Sequence, residues 1–350
     1  MNRPSSAYLP TLTWFSPRRA RMILESLREK LTHRPRRWTS LPDLTIAVCT
    51  SGERASLENT LLSVMVLDPL PPGGLELLVI DNSRQDTSFV RRVVDGMARS
   101  GQSVRYVREL RPGLGFARNA AMEAAQGEIV AFVDDDALVD RVWAWELLRT
   151  YRETDAAAVG GRIDPIWEAD RPTWLGDELL AYLSILDYGP ERAVCRYPHY
   201  PFGANISFQR AAVAEVGGFA TDLGRGGTPT YLMDEVDLCW RLEQAGRSIY
   251  YAPVARVRHV VPAARLTRGF FLRRAAMNGR CSARMGYVEG KAPSPLRLAK
   301  GVSCAGFRAG RHAVRAAFFH LTRREEQSLS ESRHVAWNLA WMHESVAIAL

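Results

Sequence analysis

Four short segments near the front of the chain are apolar almost throughout or alternate strictly. They are LTIAVCT (44–50), LELLVID (75–81), VRYVREL (104–110) and IVAFV (129–133). Runs this short, bounded by Gly, Pro and Asp, predict strands of a parallel sheet covered on both faces. The segments between them have helical spacing. SLENTLLSVMVL (56–67) sets Leu57, Thr60, Leu61, Val64 and Met65 on one face, and DTSFVRRVVDGMARS (86–100) is amphipathic. RPGLGFARNAAMEAAQG (111–127) opens with a glycine-rich loop and continues as an alanine-rich helix, with Gly127 as its C-cap. The resulting β-α-β-α-β-α-β order implies right-handed crossovers and a binding crevice at the carboxyl ends of the strands. Asp81 and the triplet Asp134-Asp135-Asp136 fall at those ends.

Further along, WAWELLRTYRET (143–154) predicts a helix and AAAVGGRIDPIW (156–167) a strand. Residues 168–202 are irregular and aromatic. GANISFQRAAVAEVGGF (203–219) reads as a short strand and a helix with a glycine stop. A glycine-rich loop (221–233), expected to be mobile and able to close as a lid, precedes the amphipathic helix DEVDLCWRLEQAG (234–246). RSIYYAPVARVRHVV (247–261) predicts a strand pair leading to His259, and 265–350 is mostly helical and basic. No internal repeat is present.

Composition changes this picture little. With 47% hydrophobic and 24% charged residues, the 350-residue chain is ordinary for a globular α/β protein. Its five dispersed cysteines form no CxxC pair, which predicts neither a zinc site nor a disulfide frame, and hence a reduced, cytoplasmic protein. The first residues do not resemble a signal peptide, and no window is apolar for long enough to span a membrane. Charge is more informative. Residues 1–40 hold nine Lys/Arg against two Glu, and 265–350 hold fifteen against five. Of the net +8, the middle 41–264 therefore carries −9. An acidic centre between basic ends does not fit a nucleic-acid reader with one positive face. It fits solvated arginine-rich helices equally with arms that touch an anionic membrane. Ile23, Leu24, Leu27 and Leu31 stand at helical spacing among arginines in 16–38, as in an interfacial helix, though packing on the core or a dimer contact explains them as well.

Three adjacent carboxylates at the tip of a buried strand repel one another, and burying one without a partner costs several kcal/mol. A divalent cation removes the conflict. Mg²⁺ and Mn²⁺ prefer oxygen ligands, and Mg²⁺ is commonly completed by waters and substrate phosphates.

The segments TIAVCTSGER, LLVIDNSRQDTS, RPGLGFARNAAMEAAQGEIVAFVDDDA, GANISFQRAAVAEVGGF, DEVDLCWRLEQAGRSIYYAP and VRHV occur in that order. Together they resemble family 2 glycosyltransferases of the GT-A fold over about residues 41–262. The resemblance implies a nucleotide-binding half (44–140) and an acceptor and catalytic half (141–262), flanked by a basic N-terminal extension (1–43) and a basic helical C-terminal extension (263–350). It further implies inverting transfer of a sugar from a nucleoside-diphosphate donor, with Mg²⁺ or Mn²⁺, to a hydroxyl acceptor. That acceptor would be a glycan, a lipid-linked intermediate or a small molecule; the cysteine usage and the basic ends, not the resemblance, suggest a location that is cytoplasmic or peripheral at the inner membrane.

By the same resemblance, Thr50 and Glu53 hold the base and ribose, and Asp81 the nucleobase, unless Asp81 only caps its own loop. Asp134 and Asp136 are the acids of the DxD motif, Asp134 near ribose or metal and Asp136 on the metal. Asp135 faces solvent or is held by loop amides. Arg118 serves the donor pocket or pairs with a strand-tip aspartate. Glu235 stands where the family carries its catalytic base, with Asp234 beside it as partner or helix N-cap, and Asp237 pairs with Arg241. The family more often has Asp at the base position. His259 is either a metal ligand or a packed histidine; neutral imidazole suits Mn²⁺ better than Mg²⁺. Trp174, Tyr182, Tyr188, Tyr197 and Tyr200 either stack on sugars or plug the core. Two other readings remain, a nucleotidyltransferase and a catalytically silent nucleotide-sugar-binding protein.

Overall fold

The computed structural model describes residues 44–52, 56–71, 73–84, 87–99, 103–221, 234–288 and 295–349. The expected helix in 16–38, Glu53 and most of the expected lid (222–233) lie outside them. The chain begins as predicted, with strands β1 (Leu44–Thr50), β2 (Leu75–Asp81), β3 (Val104–Arg108) and β4 (Ile129–Asp134). Helices α1 (Ser56–Met65), α2 (Ser88–Arg99) and α3 (Leu114–Ala124) connect them. These four strands are parallel in the order β3-β2-β1-β4. Alternation sorts their side chains into two layers. Leu44, Ile46 and Val48 pack with α1 and α2, whereas Ala47, Leu78 and Ile80 pack with α3.

The second half adds β5 (Ala137–Val139), α4 (Trp143–Glu153), β6 (Ala156–Trp167), β7 (Ala193–Cys195), β8 (Asn205–Gln209), α5 (Arg210–Glu215), α6 (Asp234–Gln244) and β9 (Ser248–Val261). The sheet continues from β4 through β8, β6 and β9 to β5, with β7 on β9; β8 is antiparallel to both of its neighbours. The fold is thus a mixed α/β sheet, mostly parallel in its first half and flanked by helices.

Two expectations change. Gly127 does not cap α3, because the helix ends in an extended Ala125. Gly127 is instead pressed against β1: its N–H donates to Thr45 Oγ1 at 2.9 Å, and a Cβ there would lie 2.6 Å from the Thr45 nitrogen. Residues 247–261 form one long strand rather than a pair. The register of β9 on β6 slips between Gly161/Ala252 and Ile163/Val257, leaving 253–256 as a bulge. Pro253, which has no N–H to donate, sits in this break. Asn205 ties the bulge down, its Nδ2 donating to Arg162 O and Ala255 O while its Oδ1 accepts Trp143 Nε1 at 2.8 Å.

The aromatic stretch contains a 3-10 helix (Asp177–Leu183) and divides its rings, with Tyr188 and Tyr197 exposed and the others set into or against the core. Tyr200 is fully buried, and Trp174 and Tyr182 meet Phe271 edge to face at 5.7 and 6.3 Å. Phe271 belongs to α7 (Arg268–Val288), followed by α8 (Pro295–Leu321) and α9 (Glu325–Ala349). At Gly279 of α7 a Cβ would lie 2.3 Å from Trp337 O of α9, so these two helices pack in close backbone contact.

Candidate active site

Strand register assembles the site. Thr50 is level with Asp81, and Cys49 with Asp134, so three strand ends open on one edge. Asp81 is fully buried and already well served. It accepts hydrogen bonds from the Ser83 N–H and hydroxyl, from Tyr106 Oη at 2.7 Å and from Arg108 Nη1 at 3.0 Å. Asp135 corrects its expectation. It is buried rather than solvent-facing, and a side chain holds it: Thr50 Oγ1 donates to its Oδ2 at 2.6 Å.

The short strand β5, which the sequence pattern does not reveal, places His259. Ala137 pairs with His259, and the Val260 N–H donates to Asp136 O at 2.9 Å. His259 Nε2 thereby lies 3.1 Å from Asp136 Oδ1. One ligand atom each from Asp134, Asp136 and His259 lie within 4.8 Å of one another. Donors bound to one cation at about 2.1 Å sit roughly 3–4 Å apart, so a small inward movement closes this set. Two carboxylates and an imidazole suit a divalent ion of the Mg²⁺–Mn²⁺ type. His259 is almost wholly buried, and its Nδ1 has no hydrogen-bond partner among the described residues.

A second cluster surrounds Arg118 of α3, which is 3% exposed. Its Nη1 lies 2.7 Å from Asp234 Oδ2 and 3.3 Å from Glu235 Oε2, and its guanidinium covers the rings of Phe132 and Phe219. Arg118 thus pairs with the start of α6 rather than with a strand-tip aspartate. Asp234 is not an N-cap: one oxygen serves Arg118, and the other is buried without a partner among the described residues. Burial alone would lower the Arg118 pKa, but the charges of Asp234, Glu235 and Asp134 outweigh it and hold the group firmly cationic. Asp134 thus lies within electrostatic range of Arg118.

Burial, then the neighbouring Asp234 charge, push Glu235 up to about 7, against the opposing pull of Arg118. The Gly203 N–H donates to Glu235 Oε1 at 3.3 Å. A Cβ at Gly203 would lie 2.1 Å from Arg118 Nη2, so the guanidinium that holds Glu235 must shift to admit it. Gly203→Ala is therefore expected to lower turnover at least about tenfold by misplacing Glu235, with a melting temperature within a few degrees of the parent. Arg118→Ala leaves two buried carboxylates uncompensated and is expected to destabilise the fold by about 3–5 kcal/mol. Chemical denaturation measures this directly, and a loss below about 1 kcal/mol would mean that the carboxylates find other partners. The expected Asp237–Arg241 pair forms at 2.7 Å.

Sequence reasoning passed over two arginines. Arg265 approaches Asp136 Oδ2 at 3.5 Å from the 3-10 turn that follows β9. Arg274 of α7 is half-buried and lies within electrostatic range of Glu235, Arg265 and Asp134. The available signal was their closeness to His259 along the chain, which the generally basic character of 265–350 masks.

Comparison with known proteins identifies the family and the fold. Residues 45–217 match the family model for glycosyl transferase family 2. A glucosyl-dolichyl phosphate glucuronosyltransferase of Haloferax volcanii is 33% identical over 62% of this chain and 68% of its own length. The succinoglycan biosynthesis protein ExoM of Rhizobium meliloti is 27% identical over 76% of this chain and 82% of its own length. A mannosyltransferase of Pyrobaculum calidifontis, solved with GDP-Man and Mn²⁺, shares the fold with a TM-score of 0.57 at 19% identity, covering 92% of this chain and 94% of that one. The chain belongs to glycosyltransferase family 2 and is a glycosyltransferase with a GT-A-type fold.

Proposed function

We propose that this glycosyltransferase moves a sugar, with inversion, from a nucleoside-diphosphate donor to a hydroxyl acceptor. The supporting observation is the convergence of one ligand atom each from Asp134, Asp136 and His259 within 4.8 Å, with Arg118 of α3 holding Asp234 and Glu235 at 2.7 and 3.3 Å. Such a pairing would let a cation-binding group and a candidate base flank one bound donor. Asp134, Asp136 and His259 are the residues that would hold Mg²⁺ or Mn²⁺, the imidazole favouring Mn²⁺. The bound ion would offset charge on the departing diphosphate.

The protein's own groups have the following roles. Asp81 receives the nucleobase, a base N–H replacing the Tyr106 hydroxyl on its Oδ2. Thr50 fixes Asp135, so that the triplet keeps its direction while Asp134 and Asp136 would converge on the ion. Glu235 takes the acceptor hydroxyl proton as that oxygen attacks the anomeric carbon, on the face opposite the diphosphate, which gives inversion. Arg118 holds Glu235 in place, and Asp234 raises its basicity. The acceptor is a glycan, a lipid-linked intermediate or a small molecule.

Melting curves with UDP-, GDP- and dTDP-sugars, with and without Mn²⁺, test the reading. A saturating donor at about 100 times its dissociation constant adds about 2.7 kcal/mol of stability, a shift of several degrees. The expected result is a Mn²⁺-dependent shift with one donor, followed by nucleotide release when an acceptor is present. A shift with neither transfer nor hydrolysis would indicate a silent binding protein. Stabilisation by ATP with pyrophosphate release would indicate a nucleotidyltransferase.

A further inference from the structure

Helix α8 contains no Asp or Glu in its 27 residues but carries Arg297, Lys300, Arg308, Arg311 and Arg315. One face, including the fully buried Ala305 and Ala309, lies against its helical neighbours. The opposite face is apolar and open. Phe307, Val314, Phe318 and Leu321 recur at intervals of seven, four and three residues and are 74%, 72%, 57% and 81% exposed. On an α-helix these four side chains fall within about one sixth of a turn of each other. Arg308, Arg311 and Arg315 follow along one shoulder of that stripe, all exposed. Four large apolar side chains in a row on a soluble surface signal a docking face rather than chance exposure.

We infer that this face of α8 seats the enzyme on an anionic lipid surface. Phe307, Val314, Phe318 and Leu321 enter the headgroup–acyl boundary, while Arg308 and Arg311 meet lipid phosphates. Charge selects this occupant. A second copy of the chain would bring another α8 without a single carboxylate, setting arginine against arginine. Residues 1–40, with nine Lys/Arg and two Glu, offer no complementary charge either. A helix with an apolar face and a basic shoulder is the form that lies in the plane of a bilayer without crossing it. Accordingly, no described helix is long and apolar enough to span one. The inference stands independently of the transfer chemistry, since it uses no residue of the crevice.

Flotation of the full chain with vesicles of phosphatidylcholine, alone or with about 30 mol % phosphatidylglycerol, tests it. The expected result is binding to the anionic vesicles only, weakened by high salt. It should fall at least about tenfold in Arg308→Glu/Arg311→Glu and in Phe307→Ser/Phe318→Ser. Both variants change exposed side chains, and their melting curves should match the parent. Equal binding of parent and variants would place the lipid contact elsewhere and overturn the inference, as would no binding at all. So would a monomer–dimer shift in sedimentation velocity that both variants abolish while vesicle binding persists, because the face would then join two copies.

Discussion

Asp136→Ala is expected to abolish Mn²⁺-dependent stabilisation by the nucleotide-sugar donor and to reduce transfer by at least about 10³-fold, the upper range for losing one electrostatic partner of a departing anion. The reason lies in three of the residue's contacts. Its backbone carbonyl accepts the Val260 N–H, one carboxylate oxygen faces His259 at 3.1 Å, and the other faces Arg265 at 3.5 Å. The backbone contact survives the substitution, so β5 should remain on β9 and the melting temperature without ligand should change little. The cation set is reduced to Asp134 and His259, while Arg265 loses its carboxylate partner. Calorimetric titration with Mn²⁺ alone separates the metal from the donor. If the variant keeps the parent's Mn²⁺ affinity, Asp136 is not a ligand and the assignment of the cluster fails.

Glu235→Gln should retain donor binding and Mn²⁺ response yet lose about 10²–10⁴-fold in turnover, the range for a positioned general base. Gln keeps the shape and can still meet the Gly203 N–H through its carbonyl, so the fold should survive. The pH profile supplies the sharper test. Burial, then the Asp234 charge, raise the Glu235 carboxyl from 4.5 to about 7. The base works only when ionised, so parent turnover should climb as pH rises through about 7 and level off above it. In Glu235→Gln that inflection should vanish. Stability carries the opposite sign. The folded state holds the extra proton more tightly than the unfolded chain between pH 4.5 and about 7, so this group's contribution is complete at low pH and declines as pH rises through 7. Denaturation midpoints for parent and variant should therefore diverge over that window. A parent profile flat from pH 5.5 to 8.5, with a variant that turns over normally, would move the base to Asp234 or outside the described residues.

How far the sequence reveals this site depends on the range of the interaction involved. Asp134, Asp136 and Asp81 announce themselves because a carboxylate at the end of an apolar run is a local conflict, visible within ten residues. Glu235 and Asp234 are legible only through the resemblance, since an acidic first turn is also ordinary helix chemistry. His259 could be named but not placed, because its position follows from three residues of β5, too short a run to show any period. Arg118 was legible as a donor-pocket residue or the partner of an aspartate, yet which aspartate was not: Asp234 lies 116 residues away, and nothing in the spacing distinguishes it from the strand-tip aspartates. Gly127 misled for a related reason. A glycine after a helix usually serves as its cap, whereas here the close approach of Thr45, 82 residues distant, excludes a Cβ.

The sequence by itself determined the alternation that sorts Leu44, Ile46 and Val48 from Ala47, the parallel direction of the first four strands, and the location of negative charge at their ends. All of these follow from side-chain period and near-neighbour chemistry. Only the tertiary structure decided which charges meet. It set the bulge at 253–256 with Asn205 beneath it, the His259–Asp136 approach and the pairing of Arg118 with Asp234 and Glu235. Each of these is a contact between surfaces folded from distant parts of the chain, where sheet register and helix packing rather than local preference set the distance.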